Sequence, residues 1–193
     1  SEPDNVKIED GLLKITAQCV PYTSARVKTQ GLFEQVYGRF EARIKMPYGQ
    51  GIWPAFWLLG NNIEEVSWPQ CGEIDIMEYR GQEPNIIHST VHGPGYSGAG
   101  GVGRDLTFDN DRFDADFHVF AIEWDTEYID FFVYDIHHLR ITPEDVSGEW
   151  VYDHPFFIIL NVAVGGNYVG SPNQNTTFPQ TMEVDYVRVF KEI

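Results

Sequence analysis

Apolar positions along this chain recur with a period of two rather than 3.6. Arg39 to Lys45 reads charged, apolar, charged, apolar, and so describes a strand with one dry face and one wet face. Leu12–Ala17, Tyr37–Met46, Ile52–Leu59, Ile86–His92, Phe117–Trp124, Tyr128–Tyr134, Phe156–Val164 and Met182–Phe190 are rich in β-branched and aromatic residues and are predicted strands. Clusters of Gly, Pro, Asn and Asp separate them, at Pro47–Gly51, Gly60–Asn62, Gly93–Gly103 and Gly165–Pro172. Helical periodicity is scarce. Thr142–Val146 is predicted as one helical turn capped by Thr142. Many strands at short spacing, without interleaved helices, predict an all-β antiparallel sandwich of two sheets.

One strand breaks the alternation. Glu73-Ile-Asp-Ile-Met-Glu78 sets three carboxylates in six residues, and its other members are apolar. Like charges that close repel, and each loses hydration on burial, so a structural strand rarely carries such a set. Glu73 and Asp75 share a face by alternation, whereas Glu78 points the other way. A β-bulge at Ile76-Met77 returns Glu78 to that face. The two Glu α-carbons then lie roughly 13 Å apart along the strand. Side chains leaning inward bring their carboxyl groups to roughly 5–6 Å, close to the spacing of a retaining glycoside hydrolase. Asp75, shorter and between them, can hydrogen-bond one Glu and help to separate the two pKa values.

Composition narrows the partners. The 193 residues carry a net charge of −16, which repels nucleic acid phosphates and anionic lipid, so neither is an expected partner. No run of 18 apolar residues is present to form a transmembrane helix. Aromatic residues make up 15% and include five Trp, which suit sugar rings as well as a core. The start at Ser1, with neither Met nor an apolar leader, fits a mature secreted chain and equally a trimmed one. Cys19 and Cys71 fit one disulfide or two free thiols. The six His show no metal-ligand spacing, and His137-His138 reads as a solvated loop pair.

Several segments, in order, carry a family likeness: Tyr22–Arg26, Tyr37–Lys45, Gly51–Trp57, Glu73–Glu78, Val91–Ser97, Asp153–Phe156, Asn161–Asn167 and Val184–Arg188. Together they resemble glycoside hydrolase family 16, and within it the laminarinase-like endo-β-1,3-glucanases. The resemblance implies a β-jelly-roll with a concave substrate cleft. It implies retaining hydrolysis of β-1,3-glucan, with Glu73 as nucleophile, Asp75 as its assisting partner and Glu78 as general acid/base. The residue inserted at Met77 resembles the bulged form of the signature, which lichenases lack, and Met77 is grouped with the substrate-contacting residues. Residues 1–193 are expected to be one catalytic domain, shortened at its N-terminus relative to the family. A secreted monomer is expected, with no catalytic cofactor. A structural Ca²⁺ held by the Gly11 carbonyl and the Asp185 carboxylate is implied as well. The alternatives are an agarase, carrageenase or transglycosylase of the same family, and a non-catalytic glucan-binding jelly roll.

Six further residues are expected to touch substrate, each with a plainer competitor. Trp53 and Trp57 alternate onto one face of a strand, as sugar platforms or as core. Trp68 precedes Glu73 by five residues in a Pro-containing loop, at the expected cleft edge. The motif position of Arg26 implies contact with sugar hydroxyls or pairing with an active-site carboxylate, against a plain surface cation. His92 ends the strand after the acidic one, which places it beside the carboxylates unless its role is structural. Asn161 is a lone amide in an apolar run and needs partners. Tyr168 stands where the family commonly has Trp. Trp124 is expected in the core.

Overall fold

A computed structural model describes residues 3–109 and 111–191. The first sheet contains β1 (Val6–Glu9), β2 (Leu12–Ala17), β5 (Gly38–Lys45), β10 (His118–Trp124), β11 (Ile129–Val133), β12 (Ile136–Ile141) and β14 (Gln180–Phe190), in the order β1-β2-β14-β5-β10-β11-β12. The second contains β3 (Arg26–Lys28), β4 (Glu34–Gln35), β6 (Ile52–Gly60), β7 (Glu73–Glu78), β8 (Ile86–His92), β9 (Val102–Thr107) and β13 (Phe156–Val164), in the order β3-β13-β6-β7-β8-β9 with β4 also on β13. Neighbours pair antiparallel throughout. This is the all-β sandwich that the strand pattern predicted, in the jelly-roll form that the family resemblance implied. Among the described residues no helix is long and apolar enough to cross a membrane.

Each sheet turns one face inward. Phe40, Ile44, Phe120, Ile122 and Trp124 of the first meet Phe56, Leu58, Ile74, Phe156 and Ile158 of the second in one buried cluster. Trp124 is buried as expected, and its Nε1 donates to the Tyr152 carbonyl at 3.0 Å. A buried ring of this size with its single polar atom satisfied stabilises by roughly 2–3 kcal/mol. Both cysteines are free, Cys19 exposed and Cys71 buried, which settles the open pairing.

Three expectations are corrected. β1, β3, β4, β9 and β12 were not predicted, because they are short or carry mainly polar residues. Thr142–Val146 is a turn without helix: the Asp145 carboxylate accepts from the Thr142 amide at 2.8 Å and its hydroxyl at 2.7 Å. His137 and His138 are no solvated loop pair. They lie in β12, where His137 Nε2 stands 2.9 Å from Asp130 and His138 is half-buried.

Candidate active site

The register of β7 against β6 shows how the acids come together. Glu73 faces Leu59, Asp75 faces Trp57 and Glu78 faces Ala55, every second residue of an unbroken strand. All three acids therefore share one face, and Ile76 is the residue with no counterpart on β6. Ile74, Ile76 and Met77 point to the core instead. Met77 is wholly buried, so its expected place among the substrate-contacting residues is corrected: in the bulge, its side chain turns inward with that of Ile76.

A groove of about 940 Å³ crosses this face, lined among others by Trp53, Trp68, Glu73, Glu78, His92 and Tyr168, and continues into a smaller recess lined by Arg26, Trp57, Asp75 and Asn161. One row of paired positions runs across it: Arg26, Asn161, Ala55, Glu78, His88 and Asp105. Ala55 keeps the row low beside Glu78. Trp53 Nε1 donates to Glu78 at 3.0 Å, and Trp53 and Tyr168 have ring centroids 4.9 Å apart. Trp57 Nε1 donates to Asn161 Oδ1 at 2.8 Å, which gives the lone amide its partner and leaves its N–H groups for a ligand. Arg26 lies over the Trp57 ring at 5.2 Å, and Trp68 is exposed at the rim with its ring 6.1 Å from His92.

His92 Nε2 stands 3.2 Å from Asp75 and 3.7 Å from Glu73. A side chain on Gly101 would collide with the His92 ring, so glycine there makes room for it. The sequence reading missed His88, Thr90 and Arg80. His88, Thr90 and His92 alternate along β8, a period-two polar signal visible in the sequence. His88 Nδ1 is 2.6 Å from Asp105, and Arg80 lies 4.1 Å over the Tyr168 ring. Arg80 gave no such signal, because it follows the strand.

Burial raises all three carboxyl pKa values. Glu73 is pushed up to about 9 by burial and by the charge of Asp75. Asp75 is raised by burial and by Glu78. Glu78 is raised by burial, which outweighs the Trp53 hydrogen bond and the nearby His92 and Arg80 charges. Glu73 and Asp75 interact directly, in the sense that raises Glu73 and lowers Asp75, so their titration belongs to the pair. Glu73 attacks only as its carboxylate, so its proton has to pass to a neighbour first, and Asp75 is the acid beside it. Glu78, in a separate contact with Trp53, can hold a proton of its own. Glu73, Asp75 and His92 also offer ligand atoms within 4.8 Å of one another, but a cation there would occupy the lone pairs that nucleophilic attack requires. Gly11, in the turn from β1 to β2, and Asp185 of β14 both belong to the side of the first sheet, away from the groove.

A groove across a β-sandwich, floored by two Glu side chains in different settings and walled by aromatic rings, is the layout of a carboxylate-pair glycoside hydrolase. The chain belongs to glycosyl hydrolases family 16, whose model matches residues 1–188. It is 40% identical over 202 residues to a β-glucanase of Rhodothermus marinus, spanning 97% of this chain and 71% of that protein. The endo-β-1,3-glucanase of Pyrococcus furiosus superposes with a TM-score of 0.97 at 48% identity, over all of this chain and 79% of that one. The laminarinase catalytic domain of Thermotoga petrophila does so at 0.96 and 45%, over 99% and 81%.

Proposed function

We propose that this chain hydrolyses β-1,3-glucan internally and with retention of configuration. Glu78 donates its proton to the glycosidic oxygen while Glu73 attacks the anomeric carbon. Asp75 takes the proton of Glu73 and holds it during attack. Water, deprotonated by Glu78, then releases the glycosyl group from Glu73. The observation that carries this reading is the common face of Glu73, Asp75 and Glu78 inside an aromatic-walled groove. The groove runs on past the acids on both the Tyr168 and the Arg26 sides, which suits attack within a polymer rather than at its end. A reducing-end assay on laminarin, with lichenan and agarose beside it, tests the assignment. Early release of oligosaccharides from laminarin is expected. Tight laminarin binding without new reducing ends would instead favour the non-catalytic glucan-binding reading.

The substrate also supports an extracellular site of action, since a polysaccharide does not cross a membrane. A monomer is proposed with it, because the groove is completed by one chain's own residues. The expected calcium fares differently. Leu13 pairs with Val184, which brings Gly11 towards Asp185, but the Asp185 carboxylate accepts from Arg43 at 2.8 Å. The guanidinium already supplies the positive charge, so the residues present do not fit Ca²⁺. We read this edge as held by the ion pair. Added calcium is expected to leave the melting temperature unchanged, and a rise of several degrees would overturn that reading.

A further inference from the structure

Two bulges face one another through the sandwich. The one in β7 leaves Ile76 without a counterpart on β6 or β8. The one in β12 leaves His138 without a counterpart on β11. Ser89 of β8 lies between them, wholly buried, opposite the first bulge. Its hydroxyl donates to the Ile76 carbonyl at 2.9 Å. A bulge disrupts the ladder locally, and a buried carbonyl there needs a donor, which the Ser89 hydroxyl supplies.

His138 backs the hydroxyl from the opposite sheet. Its Nε2 stands 3.4 Å from Ser89 Oγ. The Ser89 proton is committed to Ile76, so Nε2 carries the hydrogen and donates to Ser89. Burial disfavours the imidazolium and pushes the His138 pKa down to about 4, which keeps the ring neutral in this role. Arg104 of β9 donates to the His138 carbonyl at 3.3 Å and ties the two sheet edges together. Glu78 follows Ile76 by two residues. Trp53 fixes its carboxyl from the groove side, while Ser89 fixes the backbone behind it.

We propose that Ser89, backed by His138, is a positioning residue for the reaction. By pinning the Ile76 carbonyl it fixes the bulge, and through the bulge the place of the Glu78 carboxyl at the glycosidic oxygen. This rests on Glu78 as the acid/base and goes beyond it by naming what aims that group. The step Ser89 serves is proton donation, so its loss should be felt only where the leaving group needs a proton.

The test compares kcat/KM on laminarin with kcat/KM on a 2,4-dinitrophenyl β-laminaribioside, whose phenolate departs without protonation. E78Q calibrates the pattern: its loss on laminarin should far exceed its loss on the aryl glycoside. S89A is expected to lose about 10-fold on laminarin, in kcat rather than KM, and less than about twofold on the aryl glycoside. H138A, which leaves the hydroxyl in place, should show the same pattern a few-fold in size, and H138Q, which restores an N–H donor, should recover it. Equal losses on both substrates, or none, would overturn the proposal. If S89A does not fold, the His138 variants decide by the same comparison. If E78Q itself fails to distinguish the substrates, the assignment of Glu78 falls first, and the clamp with it.

Discussion

Both sheets carry carboxylates, and they treat them in opposite ways. On the first sheet the acids meet cations. Arg39 holds Glu41 at 3.0 Å and Glu123 at 2.9 Å, Arg43 holds Asp185 at 2.8 Å, and Arg140 grips both oxygens of Asp130 at 2.7 and 2.6 Å. On the second sheet Glu73, Asp75 and Glu78 stand together. Among the described residues no Lys or Arg lies within ion-pair distance of them, and His92 alone reaches two of the three. The proton affinities diverge accordingly. Burial would raise Asp130, but Arg140 and His137 outweigh it and hold the carboxyl below its ordinary value. Glu73, buried beside other acids, is pushed up to about 9. Pairing on one sheet secures the fold; its absence on the other keeps protons in place for chemistry and costs stability.

The sharpest break of this contrast is E73Q. Turnover of laminarin should fall by about 10⁴-fold or more, since the nucleophile is lost. The same change should stabilise the protein. The folded pKa of Glu73 lies above its unfolded value of 4.5, so the wild type loses stability as pH rises from there to about 9. The gain in E73Q, roughly 1–3 kcal/mol at pH 8, should shrink towards pH 5. Denaturant melts at the two pH values check this, and a less stable E73Q would refute it.

D130N should do the reverse. It strands the Arg140 fork and the His137 contact, and is expected to cost about 2–3 kcal/mol while leaving laminarin kcat unchanged. Here the folded pKa lies below the unfolded 3.8, so the contribution is complete above that value and lost as pH falls through the folded one. Wild type and D130N should therefore converge in stability at acid pH. The smallest effect belongs to D185N. The Arg43–Asp185 pair is more than a third exposed on each side, and its removal should change stability by no more than about 1 kcal/mol.

The long strands were legible because burial on one face writes a period of two into the sequence, as in β5, or fills a strand with apolar and aromatic residues, as in β6. The acids were legible because three carboxylates among Ile and Met have no structural excuse. The edge strands were not. In β9 and β12 neither face is fully covered, so polar residues fill both and erase the pattern. That erasure hid His138 as a loop residue. Met77 was misplaced for a related reason: an inserted residue reveals that a bulge exists, but not which side chains it turns inward. Asn161 was singled out correctly as an amide in need of a partner, yet that partner, Trp57, lies on the neighbouring strand and only the fold brings them together.

The bulge in β7 has a consequence that can be put as parity. Residue numbers 73 and 75 are odd and 78 is even, and the surplus Ile76 absorbs the mismatch. Removing one residue between Asp75 and Glu78 would make all three odd, and plain alternation would then deliver the last acid to the same face with no bulge at all. Removing two would send it into the core. The length used here is in frame only because of its bulge, and the hydroxyl of Ser89 answers the carbonyl of the surplus residue.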